Sequence, residues 1–276
     1  MKISVVMTTY NGIKYIEEQL DSIKNQIMSP TEVIIMDDAS TDGTTEFVRE
    51  YISRNRLDSW FLYVNKINIG WKANFKNGIE KSKGDIIFLS DQDDIWHSDK
   101  IYKMSSVLER DNNIELLVSD YNVIYATNTV NDGYEKNLRR TAFDETVEKI
   151  NFDEKWMYVL RPGCVFAFKR GLYERIRNIW DCNNAHDSNL WRAAIVFGTL
   201  YIYHYATIDF RRHGDNETSG KKTTRDSRIY DCKGLIRLNN ELMDIAQKYN
   251  LDIEYSIFRN EADFLRYRQL FLSLEK

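Results

Sequence analysis

The chain has 276 residues, 43% of them hydrophobic and 13% aromatic, enough for one sizeable α/β core with a small appendage. A formal net charge of -4 supplies no global basic field, so no nucleic-acid partner is expected. No apolar run approaches the ~20 residues that span a bilayer, and three cysteines without metal-ligand spacing point to reduced thiols in a cytoplasmic protein.

Residues 3–7 form an apolar run too short for a signal segment, with Thr8-Thr9 directly after it, and read as a first strand. The helical spacing of Tyr15, Ile16, Gln19, Leu20 and Ile23 predicts a helix next. The alternation continues with a strand at 32–36, a helix around Phe47, Val48, Tyr51 and Ile52, a strand at 61–64 and a helix at 72–81. A strand at 86–89, a helical stripe of Ile101, Met104, Val107 and Leu108, and a strand at 116–119 complete the first half. Strands separated by helices imply right-handed crossovers and a mostly parallel sheet, whose ligands bind beyond the carboxyl ends of the strands. In the second half, 126–150 is polar and reads as a variable loop. A strand at 164–169, a short helix at 190–197 and strands at 199–203 and 205–210 suit a mixed sheet. A polar, basic stretch follows at 214–228, and then two helical segments, one on Leu235, Leu238, Leu242, Ile245 and Tyr249, the other around Phe258, Ala262 and Leu265.

The strand ends carry the chemistry. After the first comes Thr8-Thr9-Tyr10-Asn11-Gly12; after the second, Asp37-Asp38-Ala39-Ser40-Thr41-Asp42-Gly43; after the third, Asn68-Ile69-Gly70; after the fourth, Ser90-Asp91-Gln92-Asp93-Asp94. Neither a GxGxxG turn nor a GxxxxGK[ST] phosphate loop occurs. Asp37 and Asp38 suit a turn and helix cap, and equally a buried acceptor for a nucleobase N–H or a ribose hydroxyl. Three acids as close as Asp91, Asp93 and Asp94 repel one another. Mg²⁺ or Mn²⁺, which prefer oxygen ligands, would relieve that repulsion at a metal–diphosphate site; an acidic loop capping the next helix is the plainer reading.

Together and in this order, Thr8-Thr9-Tyr10-Asn11, Ile34-Ile35-Met36-Asp37-Asp38-Ala39-Ser40-Thr41-Asp42, Asn68-Ile69-Gly70 and Asp91-Gln92-Asp93-Asp94-Ile95-Trp96 resemble the family 2 glycosyltransferases with a GT-A fold. The resemblance covers residues 1–125 strongly and continues more weakly through Gly163-Cys164, His186-Asp187 and Phe210-Arg211-Arg212-His213-Gly214. The acidic motif and the late Arg-Arg-His-Gly-Asp-Asn are most similar to the rhamnosyltransferase-type branch. The resemblance implies an α/β, Rossmann-like, mostly parallel central sheet flanked by helices. The GT-A domain would span 1–213, with a nucleotide-sugar half at 1–125 and an acceptor half at 126–213, and 214–276 would hold the basic loop and the C-terminal helices.

It further implies an inverting transferase that moves a sugar from a nucleotide-sugar donor, dTDP-rhamnose or a UDP-hexose, to a hydroxyl of a bacterial surface glycan or lipid-linked glycan. Thr8, Tyr10, Asn11, Asp38, Ser40, Asn68, Gly70, Lys72 and Asp91 would line the nucleotide, with Asp38 accepting from the pyrimidine N3–H. Asp93, with Asp91 and His213, would hold Mn²⁺ or Mg²⁺. Asp187 would be the general base, and Trp96, Gly163, Cys164 and His186 would lie at the acceptor. Lys72-Ala73-Asn74 stands where many members carry an arginine-asparagine pair, which leaves the pyrophosphate contact open.

Plainer readings stand beside these roles. Asp187 suits an N-cap, His213 a packing role, and Trp96, Trp156 and Trp191 a core. The basic run of Arg211, Arg212, Lys221, Lys222, Arg225 and Arg228 is either a lid or a solvated loop. Arg259, Arg266 and Arg268 among Phe258, Phe264, Tyr267 and Phe271 suit core packing, a homodimer interface, or peripheral contact at the inner face of the membrane. Two rival functions are a sugar nucleotidyltransferase, whose glycine-rich start is missing, and a catalytically silent nucleotide-sugar-binding module, against which intact Asp38, Asp91, Asp93 and Asp187 argue.

Overall fold

A computed structural model describes residues 1–126, 144–151, 161–214, 216, 225–251, 263, 265 and 266. The apolar runs become strands buried on both faces, as a sheet covered by helices requires. Every residue of β1 (Ile3–Thr9) and β4 (Ile86–Ser90) is buried, as are all but the first of β2 (Glu32–Asp37). β3 (Trp60–Val64) is the outer strand and leaves Phe61, Tyr63 and Val64 exposed. Helices α1 (Ile16–Lys24), α2 (Thr44–Arg54) and α3 (Trp71–Lys81) connect these strands, each burying one stripe. On α1 that stripe is Ile16, Gln19, Leu20 and Ile23.

The strands β3, β2, β1 and β4 pair in parallel in that spatial order, which is the half of the sheet expected to hold a ligand at its carboxyl edge. The remainder is mixed. After β5 (Ile95–Trp96), α4 (Lys100–Arg110), β6 (Leu116–Tyr125) and β7 (Val147–Lys149), a short 3₁₀ turn (Gly163–Val165) leads into β8 (Phe166–Lys169). β8 runs antiparallel between β4 and β6. Helices α5 (Arg170–Ile176) and α6 (His186–Val196) precede β9 (Leu200–Arg212), which is parallel to β6 and antiparallel to β5 and β7.

Several boundaries differ from the sequence reading. The segments 199–203 and 205–210 are one strand, β9. The polar residue between them, His204, is buried without breaking the strand, because Nε2 lies 2.8 Å from Glu148 and Nδ1 lies 3.4 Å from Asp120. Opposite it, β6 shifts register between Ser119 and Asp120. The helix expected at 190–197 starts at His186, which brings His186 and Asp187 into its first turn. The two-residue β5 was not foreseen; it pairs Ile95 with Asp209 and Trp96 with Ile208, folding the acidic loop onto β9. Helix α7 (Arg225–Lys248) begins inside the stretch read as a basic loop. Trp156, Lys221, Lys222, most of the expected variable loop and all of the second terminal helix except 263, 265 and 266 lie outside the described residues. No helix among the described residues is long and apolar enough to cross a membrane.

Candidate active site

The two aspartates after β2 divide their work. Asp37 is a turn builder: its carboxylate accepts from Thr9 Oγ1 at 2.8 Å, Ser40 N at 2.9 Å, Ser40 Oγ at 2.7 Å and Thr45 Oγ1 at 2.9 Å. Asp38, only 2% exposed, reaches the next strand end, where it accepts from Asn65 Nδ2 at 2.8 Å, Ile69 N at 2.9 Å and Gly70 N at 2.8 Å. The Asn68-Ile69-Gly70 turn is thereby fixed to β2. Gly70 has φ +85°, a backbone state that suits glycine. Asn74, beside Lys72, faces the sheet and donates to Met36 O at 2.7 Å. Lys72 Nζ donates to Asn183 O at 2.7 Å, which joins this turn to the approach of α6.

The β1–α1 loop is held from two sides. Asn11, at φ +48°, accepts from Thr41 N at 2.8 Å, and its own N–H donates to Ser40 Oγ at 2.9 Å. From the acidic motif, Gln92 accepts from Tyr10 N at 2.8 Å and donates to Tyr10 O at 3.0 Å, closing a backbone-like pair. Thr8 is buried and Tyr10 is 46% exposed, so the loop presents the tyrosine ring outward.

The acids after β4 collect partners from distant segments. Asp93 Oδ2 lies 2.7 Å from His213 Nε2 and accepts from Asn216 Nδ2 at 3.1 Å. His213 also packs against the Tyr15 ring at 4.7 Å. Arg211 clamps the loop from β9: its N–H donates to Asp94 Oδ1 at 3.0 Å, its Nε donates to Asp93 O at 2.8 Å, and its guanidinium pairs with Glu18. Asp94 is fully buried, and its Oδ2 has no N–H or O–H partner. Burial, then the charges of Asp93 and Asp91, push Asp94 well above the ordinary carboxylate range. Asp91 keeps a partly accessible side chain although protein encloses it. Burial, the Asp93 charge and the Asp187 charge push it up to about 7.

Asp187 lies in the first turn of α6. Its Oδ1 accepts from Ser188 N at 2.7 Å, but Asp187 is the second residue of α6 and the N-cap is Ala185, so the N-cap reading does not hold. Burial raises its pKa, while the Lys72 and Arg192 charges oppose that rise. His186 beside it is a packing residue: its ring lies 3.9 Å from Phe75 and meets Trp71 edge-on at 5.4 Å. Neither of its ring nitrogens has a hydrogen-bond partner, and burial pulls its pKa down to about 3, so it stays neutral. Gly163 must be small here, since a Cβ on it would sit 2.2 Å from His186 Nε2.

Asp93 thus meets His213, the charges of Asp93 and Asp187 both reach Asp91, and Lys72 ties the Asn68-Ile69-Gly70 turn to the approach of α6. Of the residues expected at the acceptor, Gly163, Cys164 and His186 are all buried, and Gly163 packs against the His186 ring. Trp96 needs correction: it is 3% exposed, packed on Phe88 at 6.1 Å and under Lys100 Nζ at 4.5 Å, so its ring offers no stacking face. The sequence reading passed over Gln92, Asn65 and Asn216. Asn216 does end the Arg-Arg-His-Gly-Asp-Asn run, but Asn65 and Gln92 gain meaning only from their distant backbone and side-chain partners.

Asp93 Oδ2 meets His213 Nε2 at 2.7 Å, but Asp91, Asp93 and His213 do not bring three ligand atoms within 4.8 Å of one another. Among the described residues, ligand atoms of Asp91, Asp94 and Cys164 do. That set fits a hard cation poorly, because burial and the charges of Asp94 and Asp91 hold the Cys164 thiol protonated, well above its usual pKa.

A parallel α/β half with acids at its strand ends, continued by a mixed half, is the architecture of the GT-A fold. The solved structures agree. The chain superposes on Staphylococcus aureus TarS 1–349 in complex with UDP-GlcNAc with a TM-score of 0.72, at 19% identity over 95% of this chain and 70% of that one. It superposes on the mannosyltransferase PcManGT of Pyrobaculum calidifontis, in complex with GDP-Man and Mn²⁺, with a TM-score of 0.57, at 20% identity over 98% and 71% of the two chains. The chain belongs to glycosyl transferase family 2, whose model matches residues 4–177. Among curated relatives, the dTDP-rhamnosyl transferase RfbG of Shigella flexneri is 30% identical over 84% of this chain and 79% of its own length. With the family established, the readings as a nucleotidyltransferase and as a silent binding module are set aside.

Proposed function

We propose that the enzyme transfers a sugar, with inversion, from a nucleoside-diphosphate donor to a hydroxyl of a glycan, with dTDP-rhamnose as the first donor to test and a UDP-hexose as the second. The observation that carries the reading is the nearness of Asp187 to Asp91, from segments almost a hundred residues apart: the charges of Asp93 and Asp187 both act on the buried Asp91 carboxyl. The likeness to the Shigella rhamnosyl transferase supports the dTDP-rhamnose choice. A bacterial surface glycan, free or lipid-linked, is the acceptor this reading favours.

In this reading the Tyr10 ring and the Asp38–Gly70 turn seat the pyrimidine, and the acidic loop faces the diphosphate. The acceptor oxygen attacks the anomeric carbon from the face opposite the diphosphate. Asp187 Oδ takes the acceptor's proton as the new C–O bond forms, while the bond to the phosphate oxygen breaks and its electron pair leaves with the nucleoside diphosphate. Burial suits Asp187 to this task, because a raised pKa makes a carboxylate a stronger proton acceptor. Asp93 and His213 would hold a divalent cation, which neutralises charge on the departing diphosphate. The test is nucleoside diphosphate release from dTDP-rhamnose, UDP-glucose, UDP-GlcNAc and GDP-mannose in the presence of Mn²⁺. Release from dTDP-rhamnose well above the others supports the donor choice, and release only from GDP-mannose overturns it.

A further inference from the structure

The reaction set out above gives Lys72 no part. It is the second residue of α3, directly after the Asn68-Ile69-Gly70 turn that Asp38 fixes to β2. Its ammonium donates to Asn183 O at 2.7 Å, a partner 111 residues along the chain. Asn183 lies in the turn that leads into α6, four residues before Asp187. That turn is held from its other side as well. Asn183 N donates to Asp181 Oδ1 at 2.8 Å, and Asp181 Oδ2 pairs with Arg237 of α7 at 2.7 Å. Asn189 Nδ2 donates to Asp181 O and to Ala185 O, both at 3.1 Å, which joins the turn to the helix it opens. Beside the lysine, Trp71 and Phe75 grip the His186 ring at 5.4 and 3.9 Å. The start of α3 therefore meets the start of α6 through two aromatic rings and one ammonium. The ammonium contact is directional and charge-assisted, roughly twice as strong as a neutral hydrogen bond. The Lys72 charge also opposes the burial that raises the Asp187 pKa, so the two groups sense one another.

We propose that Lys72 is a positioning residue: its ammonium ties the turn at 181–185 to the start of α3, so that the nucleotide turn and the Asp187 carboxylate are set relative to one another. The proposal rests on the reading of Asp187 as the base. It gives a reason for a lysine where a pyrophosphate ligand was expected, since the partner of its ammonium is a protein carbonyl next to α6. A point charge on a four-carbon stem suits such a reach between two segments. A misplacement of about 1 Å costs roughly 10²-fold in rate, so one tether at the approach to the base has a measurable effect.

Lys72→Met, Lys72→Arg and Lys72→Gln, made in the full chain, test it. The readouts are hydrogen exchange over 181–192 by mass spectrometry, UDP and UMP affinity by calorimetry, and kcat and KM for nucleoside diphosphate release from the fastest of the four donors named above. Lys72→Met should raise exchange over 181–192 about threefold or more and leave β1 and β2 unchanged. It should lower kcat about 10–100-fold, with KM and both affinities within about twofold of wild type. Lys72→Arg keeps the charge and the donors and should recover most of kcat, whereas the shorter, neutral Lys72→Gln should not. If Lys72→Met fails to fold, Lys72→Gln carries the same comparison. UDP affinity lowered about tenfold with UMP affinity unchanged would assign the lysine to the diphosphate and overturn the tether. Unchanged exchange over 181–192, or an unchanged kcat, also overturns it. Asp187→Asn separates the two claims. Wild-type kcat in that variant removes the base reading and with it the positioning role, whereas a lost kcat there with unchanged exchange in Lys72→Met removes the tether alone.

Discussion

In the proposed reaction Asp187 is the base, and its surroundings set how it would titrate. A hydrogen bond from Ser188 N in the first turn of α6 holds its carboxylate, and burial raises its pKa. A base works only when ionised. The kcat profile should therefore fall on the acid side, with a midpoint above that of an unperturbed aspartate, and a profile with no acid limb above pH 4 would contradict this. Asp187→Asn should lower kcat by about 10²–10⁴-fold while leaving nucleoside diphosphate affinity, measured by calorimetry, unchanged. At this scale the candidate acids stood out in the sequence, because Asp-x-Asp after a strand and His-Asp near a helix start are local patterns. Trp96 was not legible: an aromatic after an acidic motif reads equally as a sugar platform or as core, and only β5 pairing with β9 decides for core.

At the scale of elements, the site depends on two close approaches. Gly163 backs onto His186, and a Cβ there would sit 2.2 Å from Nε2. The ring cannot retreat easily, since Phe75 and Trp71 hold it. Gly163→Ala should destabilise the fold by about 1–3 kcal/mol in urea unfolding and lower kcat by displacing the first turn of α6. At Gly12, by contrast, a Cβ would meet the flexible end of Gln92 at 2.2 Å. Gly12→Ala should thus cost little stability yet weaken donor binding, because it breaks the Gln92–Tyr10 clamp. Helices and parallel strands were readable from period and length alone. The continuity of β9 through His204 was not, because that histidine's partners, Asp120 and Glu148, come from other strands.

Over the whole molecule, the cost of the site is electrostatic. Asp91 has its pKa raised from 3.8 to about 7 by burial and by its acidic neighbours. For an acid raised on folding, the stabilising contribution is full below the unfolded pKa and is lost as pH rises through the folded one. Metal-free stability should therefore decline between about pH 4 and 7, and Asp91→Asn should flatten that slope in Tm measured against pH. Mn²⁺ should restore Tm at pH 7 in the wild type and much less in Asp93→Ala. The architecture that gathers these acids was foreseen from the alternation of strands and helices, whereas the antiparallel insertion of β8 between β4 and β6 carries no signature in local pattern.

The most direct measurement is a crystal of the enzyme with UDP and Mn²⁺, with diffraction recorded at the manganese absorption edge. The account predicts one anomalous peak bonded to Asp93, with the diphosphate beside it, the uracil against the Asp38–Gly70 turn and Asp187 facing the opening. A peak seated instead between Asp94 and Cys164, or a nucleotide bound away from Asp38, would contradict it.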